Sequence, residues 1–521
     1  MLFTSLNFLL FAAVLLGLYY LLPRRCQWVL LLIAGYIFYL CAGVQYLGFI
    51  LFTTVTTYVA ARWIGDRLDT QTAYLAEHKA TLSREEKKAY KEHVKSRNRL
   101  IMVACLVLNF AILAVCKACL IQPFADMAKG TGLSFLTLGL PLGISFYMFQ
   151  SMGYVVDVYR GVAAPERNPL KLALFVSFFP QLMQGPISKF GKVAPQLYAP
   201  HDFDRKRVAF GLERMLWGYF KKMVVADRIA VAIGTLKGAE YTGVPFLILS
   251  VFYAAQIYGD FTGGIDIALG LSEALGIDLP ENFIRPFFSK NIAEYWRRWH
   301  ISLGEWMKDY IFYPLSVCQP MLTLSKNARK KLGNFGKRLP IYVASIATWF
   351  VTGIWHGFDL HFLVWAGLNC FFIVLSEELA PLYERFHARF GFKGKSWYSA
   401  FEILRMFMLM NLIRASDLFN DVGDYFRRIG SLFWRFNFSC LWDGTMMELG
   451  LTAADYAVLG VGVAVLFSVS VAGRSESVRE RLLRVPAGVR YALFAVLLIT
   501  VVVFGRYGVG FDAGNFIYTQ F

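Results

Sequence analysis

FLLFAAVLLGLYYLL, residues 8–22, carries no charge, and its only polar side-chain atoms are the hydroxyls of Tyr19 and Tyr20. With its flanks it fills a window, 6–22, long enough to cross the hydrocarbon core of a bilayer as a helix. No small-residue cleavage site follows it, so it reads as a retained span rather than a signal peptide. Arg24 and Arg25 come next, then another apolar run. The same alternation of long apolar runs and short basic connectors continues along the chain.

Of the 521 residues, 57% are hydrophobic, 17% aromatic and only 17% charged. A water-soluble protein of this length needs far more polar surface, so the composition points to a polytopic membrane protein. Inside the bilayer only helices and closed barrels satisfy the backbone. The runs are continuous rather than alternating, which selects helices. Apolar windows fall near 6–22, 28–44, 46–64, 100–120, 135–158, 171–186, 208–232, 243–272, 341–356, 360–378, 400–415, 455–472 and 489–505. The expectation is therefore an all-α fold with about 11–13 membrane helices, some broken or re-entrant, in a single membrane domain covering 1–521.

The net charge of +17 sits in the connectors. Residues 62–99 hold ten Lys or Arg against six Asp or Glu, and residues 281–338 hold eleven against four. Basic connectors stay cytoplasmic, so 65–99 reads as a charged helical connector and 281–338 as a basic cytoplasmic interfacial region, with both termini outside. No soluble domain carries the charge, which excludes a nucleic-acid partner. Anionic lipid headgroups and a phosphate-bearing cytoplasmic acyl donor suit these loops better. The eight cysteines are scattered; Cys116 and Cys119 form one C-x-x-C with no second pair, too little for a zinc or redox site.

Two segments depart from the pattern. In YGDFTGGIDIALG (258–270), Asp260 and Asp266 bracket Gly263 and Gly264 within an apolar run. The double glycine weakens the helix and lets the backbone turn or approach closely. Intramembrane carboxylates are either substrate contacts or partners of an arginine that holds the break. In NIAEYWRRWHISLGEWMKDYIFYPL (291–315), Asn291 and Glu294 form an N-terminal capping pair. Ile292, Trp296, Trp299, Leu303, Trp306 and Tyr310 follow at helical spacing. This predicts one amphipathic helix at the cytoplasmic interface with its tryptophans at headgroup depth.

Of seven histidines, His78, His93, His201 and His387 lie in polar connectors, leaving His300, His356 and His361. His356 and His361 are five apart, off the i, i+4 spacing that puts two zinc ligands on one helix face, and no cysteine or carboxylate cluster completes a set. No metal site is expected. No G-x-S-x-G elbow is present either. A histidine acting as general base on a hydroxyl is the remaining chemistry, suited by an imidazole that titrates near neutral pH. A histidine merely satisfied in a core is the reading the residues alone slightly favour.

EYWRRWHISLGEWMKDYIFYPL (294–315), followed by GIWHG (353–357), resembles the membrane-bound O-acyltransferase superfamily. The likeness is to its bacterial branch of alginate O-acetyltransferases and D-alanyl teichoic-acid transferases. PLGISFYMFQSMGYVVDVYRG (141–161), FFPQLMQGPISKF (178–190), YGDFTGGIDIALGL (258–271), ENFIRPFFSKNI (281–292) and the terminal FIYTQF (516–521) add to it. The resemblance implies a ring of helices around a central funnel. His356 is then the histidine on which acyl transfer depends, and His300 a second catalytic position. Trp296, Trp299, Asp309, Tyr310, Trp355 and Asp260 become candidate substrate-binding residues, and His361 is structural. No bound cofactor is implied. The co-substrate is an acyl thioester, acetyl-CoA or an acyl carrier protein. The acceptor is an extracellular polysaccharide hydroxyl, reached directly or through a secreted or membrane-anchored acyltransferase partner in the cell envelope, with the enzyme in the plasma or inner membrane. D-alanyl transfer to teichoic acid is the alternative, and a secondary transporter built on broken helices is the alternative of another class.

Overall fold

Helices account for nearly all the regular structure of the computed structural model, which describes residues 1–120, 126, 139–238 and 241–507. Seven helices among the described residues are long and apolar enough to cross a membrane, so the chain is an all-α multi-pass membrane protein. The chain divides into two compact units, Met1–Ala209 with Leu271–Pro280, and Phe210–Gly270 with Glu281–Phe521.

The first unit contains α1 (Leu6–Leu21), α2 (Gln27–Leu40), α3 (Leu47–Glu77), α4 (Arg84–Ala118), α5 (Ile144–Tyr159), α6 (Pro169–Ser177), α7 (Phe179–Met183) and α8 (Phe190–Tyr198). The expected 65–99 connector consists of the ends of α3 and α4. Ser83 and Glu86 form a reciprocal capping box that starts α4. The 171–186 window is two short helices rather than one span, because Phe178 is extended and Pro180 opens α7. Phe11, Phe38 and Phe179 pack ring against ring at 5.2–6.2 Å between α1, α2 and α7.

The second unit begins within α9 (Arg205–Tyr219). It continues through a π-helical turn, Phe220–Ala226, into α10 (Asp227–Gly238) and then α11 (Val244–Ala274). Of the two roles open to the double glycine at 258–270, the turn is not the one found: α11 runs unbroken through both glycines. A Cβ on Gly218 would lie 2.6 Å from the Gly263 carbonyl oxygen, and one on Gly263 would lie 2.8 Å from that of Gly218. The glycine thus serves backbone-to-backbone approach of α9 and α11, not a bend. The transporter alternative loses the broken helix it rested on.

The remaining helices of this unit are α12 (Ile292–Arg298), α13 (Ile301–Met307), α14 (Tyr313–Ser316), α15 (Gln319–His356), α16 (Leu360–Phe390), α17 (Ser396–Arg414), α18 (Val422–Ser431), α19 (Ala453–Ala472), α20 (Val478–Leu482) and α21 (Ala487–Phe504). The single amphipathic helix expected over 291–315 is corrected to α12, a break at Trp299–His300, α13, a π turn at Lys308–Phe312, and α14. Two of its tryptophans pack inside the protein, Trp299 being 2% exposed and Trp306 8%. The motif at 516–521 lies outside the described residues.

Candidate active site

Asn291 starts α12 by accepting a hydrogen bond from the Glu294 N–H at 2.8 Å. The Glu294 carboxylate in turn accepts from the Lys290 N–H and pairs with Arg298. The helix stops because Trp299 turns extended and His300 enters the left-handed region at φ 48°. An antiparallel bridge between Phe283 and Trp299 holds that break. The Ile284 N–H donates to the Arg298 carbonyl, and the Ile301 N–H to the Asn282 carbonyl, each at 3.0 Å. Arg285 and His300 are the two described non-glycine residues at positive φ.

Asn282 also determines where the His300 proton sits. Its side-chain oxygen accepts from the Ser302 N–H at 3.0 Å and the Ser302 hydroxyl at 2.9 Å, and lies 3.4 Å from His300 Nδ1. A backbone N–H only donates, so the receiving atom is the amide oxygen, and the imidazole must present N–H to it. His300 therefore carries its proton on Nδ1 and its lone pair on Nε2. The ring is 2% exposed and lies edge-on to Phe261 at 4.9 Å. Burial, reinforced by the Arg414 guanidinium, pushes its pKa down to about 3, so the ring is neutral.

His356 is the last residue of α15 and is 7% exposed. Its ring meets Trp355 and Trp365 edge-on at 4.9 Å each and lies parallel to Phe362 at 6.2 Å. Trp355 also touches His300 at 6.1 Å, so one indole contacts both imidazoles. Trp296, Trp349 and Trp365 form a second aromatic group, 4.8–5.8 Å apart. Asn369 pins it, accepting from Trp296 Nε1 and donating to the Trp365 carbonyl. An apolar cavity of 580 Å³ between α15 and α16 is lined by Tyr342, Trp349, Ala366 and Cys370 among others.

The structure thus gathers His300, His356, Trp355, Trp299 and Trp296 into one aromatic neighbourhood. Asp260 is engaged by Lys222 at 2.5 Å, and Asp266 by Lys221 at 2.5 Å and Arg214 at 2.9 Å. Of the two readings of these carboxylates, the pairing one describes their geometry. Asp309 and Tyr310 belong to the π turn, where Tyr310 packs on Trp306 at 5.2 Å. His361 is buried against Phe362, its Nδ1 without a hydrogen-bond partner among the described residues. No three His, Cys, Asp or Glu side chains gather as a metal-ligand set among the described residues.

Sequence reasoning missed Arg414. Its guanidinium is 5.0 Å from the Trp299 ring centre and 5.5 Å from that of Trp365, joining the first histidine motif to the indole that packs on His356. Asp417 lies 3.7 Å away, its carboxyl pushed up to about 7 by burial while Arg414 draws it down. The signal was a second arginine, nine residues after Arg405, inside the apolar run 400–415.

The family model for the membrane-bound O-acyltransferases matches residues 163–415. A probable alginate O-acetylase of Azotobacter vinelandii is 32% identical over 393 residues, covering 73% of this chain and 69% of that protein. A peptidoglycan O-acetyltransferase of Helicobacter pylori is 28% identical over 340 residues, covering 56% and 62%. A teichoic acid D-alanyltransferase of Bacillus subtilis is 27% identical over 229 residues, covering 43% and 55%.

Proposed function

The chain belongs to the membrane-bound O-acyltransferase family and is an O-acyltransferase, and we propose that it moves an acetyl group from a cytoplasmic thioester to an extracellular polysaccharide hydroxyl. The thioester is acetyl-CoA or an acyl carrier protein. The acceptor is the polysaccharide itself or a secreted or membrane-anchored acyltransferase partner that passes the group on. The setting is the plasma or inner membrane, with both termini external and the basic loops facing the donor.

The observation that carries this reading is the pair of buried imidazoles, His300 and His356, in contact with the same Trp355 ring. In the proposed reaction His356 takes the proton of the acceptor hydroxyl as its oxygen bonds to the thioester carbonyl carbon. The tetrahedral intermediate then expels sulfur as the C–S bond breaks, and the proton passes to the thiolate. His300, with its lone pair on Nε2, accepts a hydrogen bond from whichever partner carries the proton. The aromatic walls exclude water, which would otherwise hydrolyse the thioester.

D-alanyl transfer is kept as the second reading, favoured by the relatives named teichoic acid D-alanyltransferases. Mass spectrometry of the acyl group on the host's envelope polysaccharides separates the two. His356→Ala should abolish acylation while the protein still accumulates in the membrane. Retained acylation would remove His356 from the mechanism.

A further inference from the structure

Three residues on one face of α17, Phe407, Asn411 and Arg414, follow the i, i+4, i+7 spacing of a helical stripe. Both ends of the stripe touch the same wall. Phe407 meets the Phe287 ring at 5.2 Å, and Phe287 meets Trp299 at 6.2 Å. Arg414 lies over Trp299 and Trp365. Asn411 lies between them on the same stripe.

Asn411 is 0% exposed, and neither its amide nitrogen nor its amide oxygen has a hydrogen-bond partner among the described residues. Buried amides are almost always paired, because an unpaired one forfeits its hydration with nothing in return. One turn away, Arg414 is a buried cation, and the carboxyl of its neighbour Asp417, 3.7 Å off, is pushed up to about 7 by burial. An amide donor and a guanidinium side by side on a dry aromatic wall suit an uncharged oxygen that becomes negative during reaction.

We propose that Asn411 and Arg414 form the donor site for the carbonyl oxygen of the acyl thioester and hold the charge it gains when the acceptor hydroxyl adds. This rests on the acyl-transfer reading above. Addition converts the C=O double bond to a C–O⁻ single bond. The Asn411 N–H and the guanidinium N–H groups donate to that oxygen, and collapse restores the double bond as the C–S bond breaks. Neither residue gains or loses a proton. Donors aimed at the oxyanion act on the transition state more than on the bound substrate, so their loss lowers kcat rather than raising KM.

The test uses the full-length protein in detergent with acetyl-CoA and a hydroxyl acceptor, following thiol release. Asn411→Leu should lower kcat by about 10²-fold with KM changed less than about threefold. Arg414→Lys, which keeps the charge and loses the fork, should fall by about tenfold. Infrared spectra with [1-13C]acetyl-CoA should show the bound carbonyl stretch at lower frequency in the wild type, with the shift lost in Asn411→Leu. Should Asn411→Leu fail to accumulate, Asn411→Asp, equal in size but lacking the N–H donors, should show the same loss. A kcat within threefold of wild type in the Asn411 variant, or an unchanged carbonyl shift, overturns the proposal. His356→Ala run in parallel keeps the two readings apart. An inactive His356→Ala beside a fully active Asn411→Leu sinks only the donor site, while an active His356→Ala sinks the general base.

Discussion

Lys222 occupies the π turn with its side chain 4% exposed, between Asp227 at 2.8 Å and Asp260 at 2.5 Å, whose side chains are 7% and 3% exposed. One cation thus faces two buried carboxylates. Lys222→Met leaves both without their cation, and removing one partner of a buried ion pair costs about 3–5 kcal/mol. Asp260→Asn acts differently, because the amide oxygen still accepts from the ammonium and Asp227 still balances its charge. Its cost is that of one weakened charge-assisted hydrogen bond, about 1.5–3 kcal/mol. The double variant should be more stable than Lys222→Met alone, with a coupling energy of about 0.5–3 kcal/mol. Denaturant unfolding of the detergent-solubilised protein, followed by tryptophan fluorescence, measures all three, and donor KM and kcat are recorded on the same samples. Lys222→Met at wild-type stability would refute the ion-pair argument. Asp260→Asn with unchanged stability and a donor KM raised tenfold would show Asp260 to be a substrate contact instead.

Gly357→Ala tests the wall behind His356: an added Cβ would lie 2.4 Å from the Phe362 ring that lies parallel to the imidazole. Displacing that ring should lower kcat by about tenfold, a near-attack misplacement effect, with membrane accumulation intact; unchanged kcat would show the ring to be irrelevant. His300, outside the seven spans, stays neutral where an ordinary histidine is protonated, because its pKa is lowered from 6.5 to about 3. The unfolded state therefore binds the extra proton as pH falls from about 6.5 toward 3, and stability is lost across that window at up to about 1.4 kcal/mol per pH unit. His300→Asn should remove that portion of the acid sensitivity, and parallel stability–pH curves for the two proteins would refute it. His361→Ala should keep acyl transfer within about threefold of wild type, since the ring's described contact is with Phe362; a hundredfold loss would move it into the mechanism.

The helical membrane class was legible because long uncharged runs leave the backbone few alternatives. The two histidine motifs were legible as a resemblance, and the structure puts them against one indole. Other features escaped for physical reasons. Periodicity over 291–315 is satisfied equally by one helix or two short ones, so the break at His300 left no trace in the spacing. Gly263 could serve a turn or a close approach, and its partner Gly218 lies 45 positions away in sequence. Only packing reveals that both serve close approach. Adjacent Lys221 and Lys222 are both inside because every residue of the π turn is buried, which the sequence pattern does not show. Asn411 and Arg414 stood in plain view within 400–415, but their common face matters only once Trp299 lies opposite.

The left-handed backbone at position 300 restricts which residues can stand there at all. That conformation costs an ordinary L-residue about 1–2 kcal/mol, and asparagine is among the few that adopt it readily. The bridge to Asn282–Ile284 leaves no slack to relax it. A saturation library at this position would therefore be filtered twice, first by backbone geometry and then by hydrogen bonding to the Asn282 oxygen. Gln, Tyr or Glu could supply polar atoms yet fail the first filter. Histidine and asparagine pass both, so an exchange between them is the one such a library should return most often.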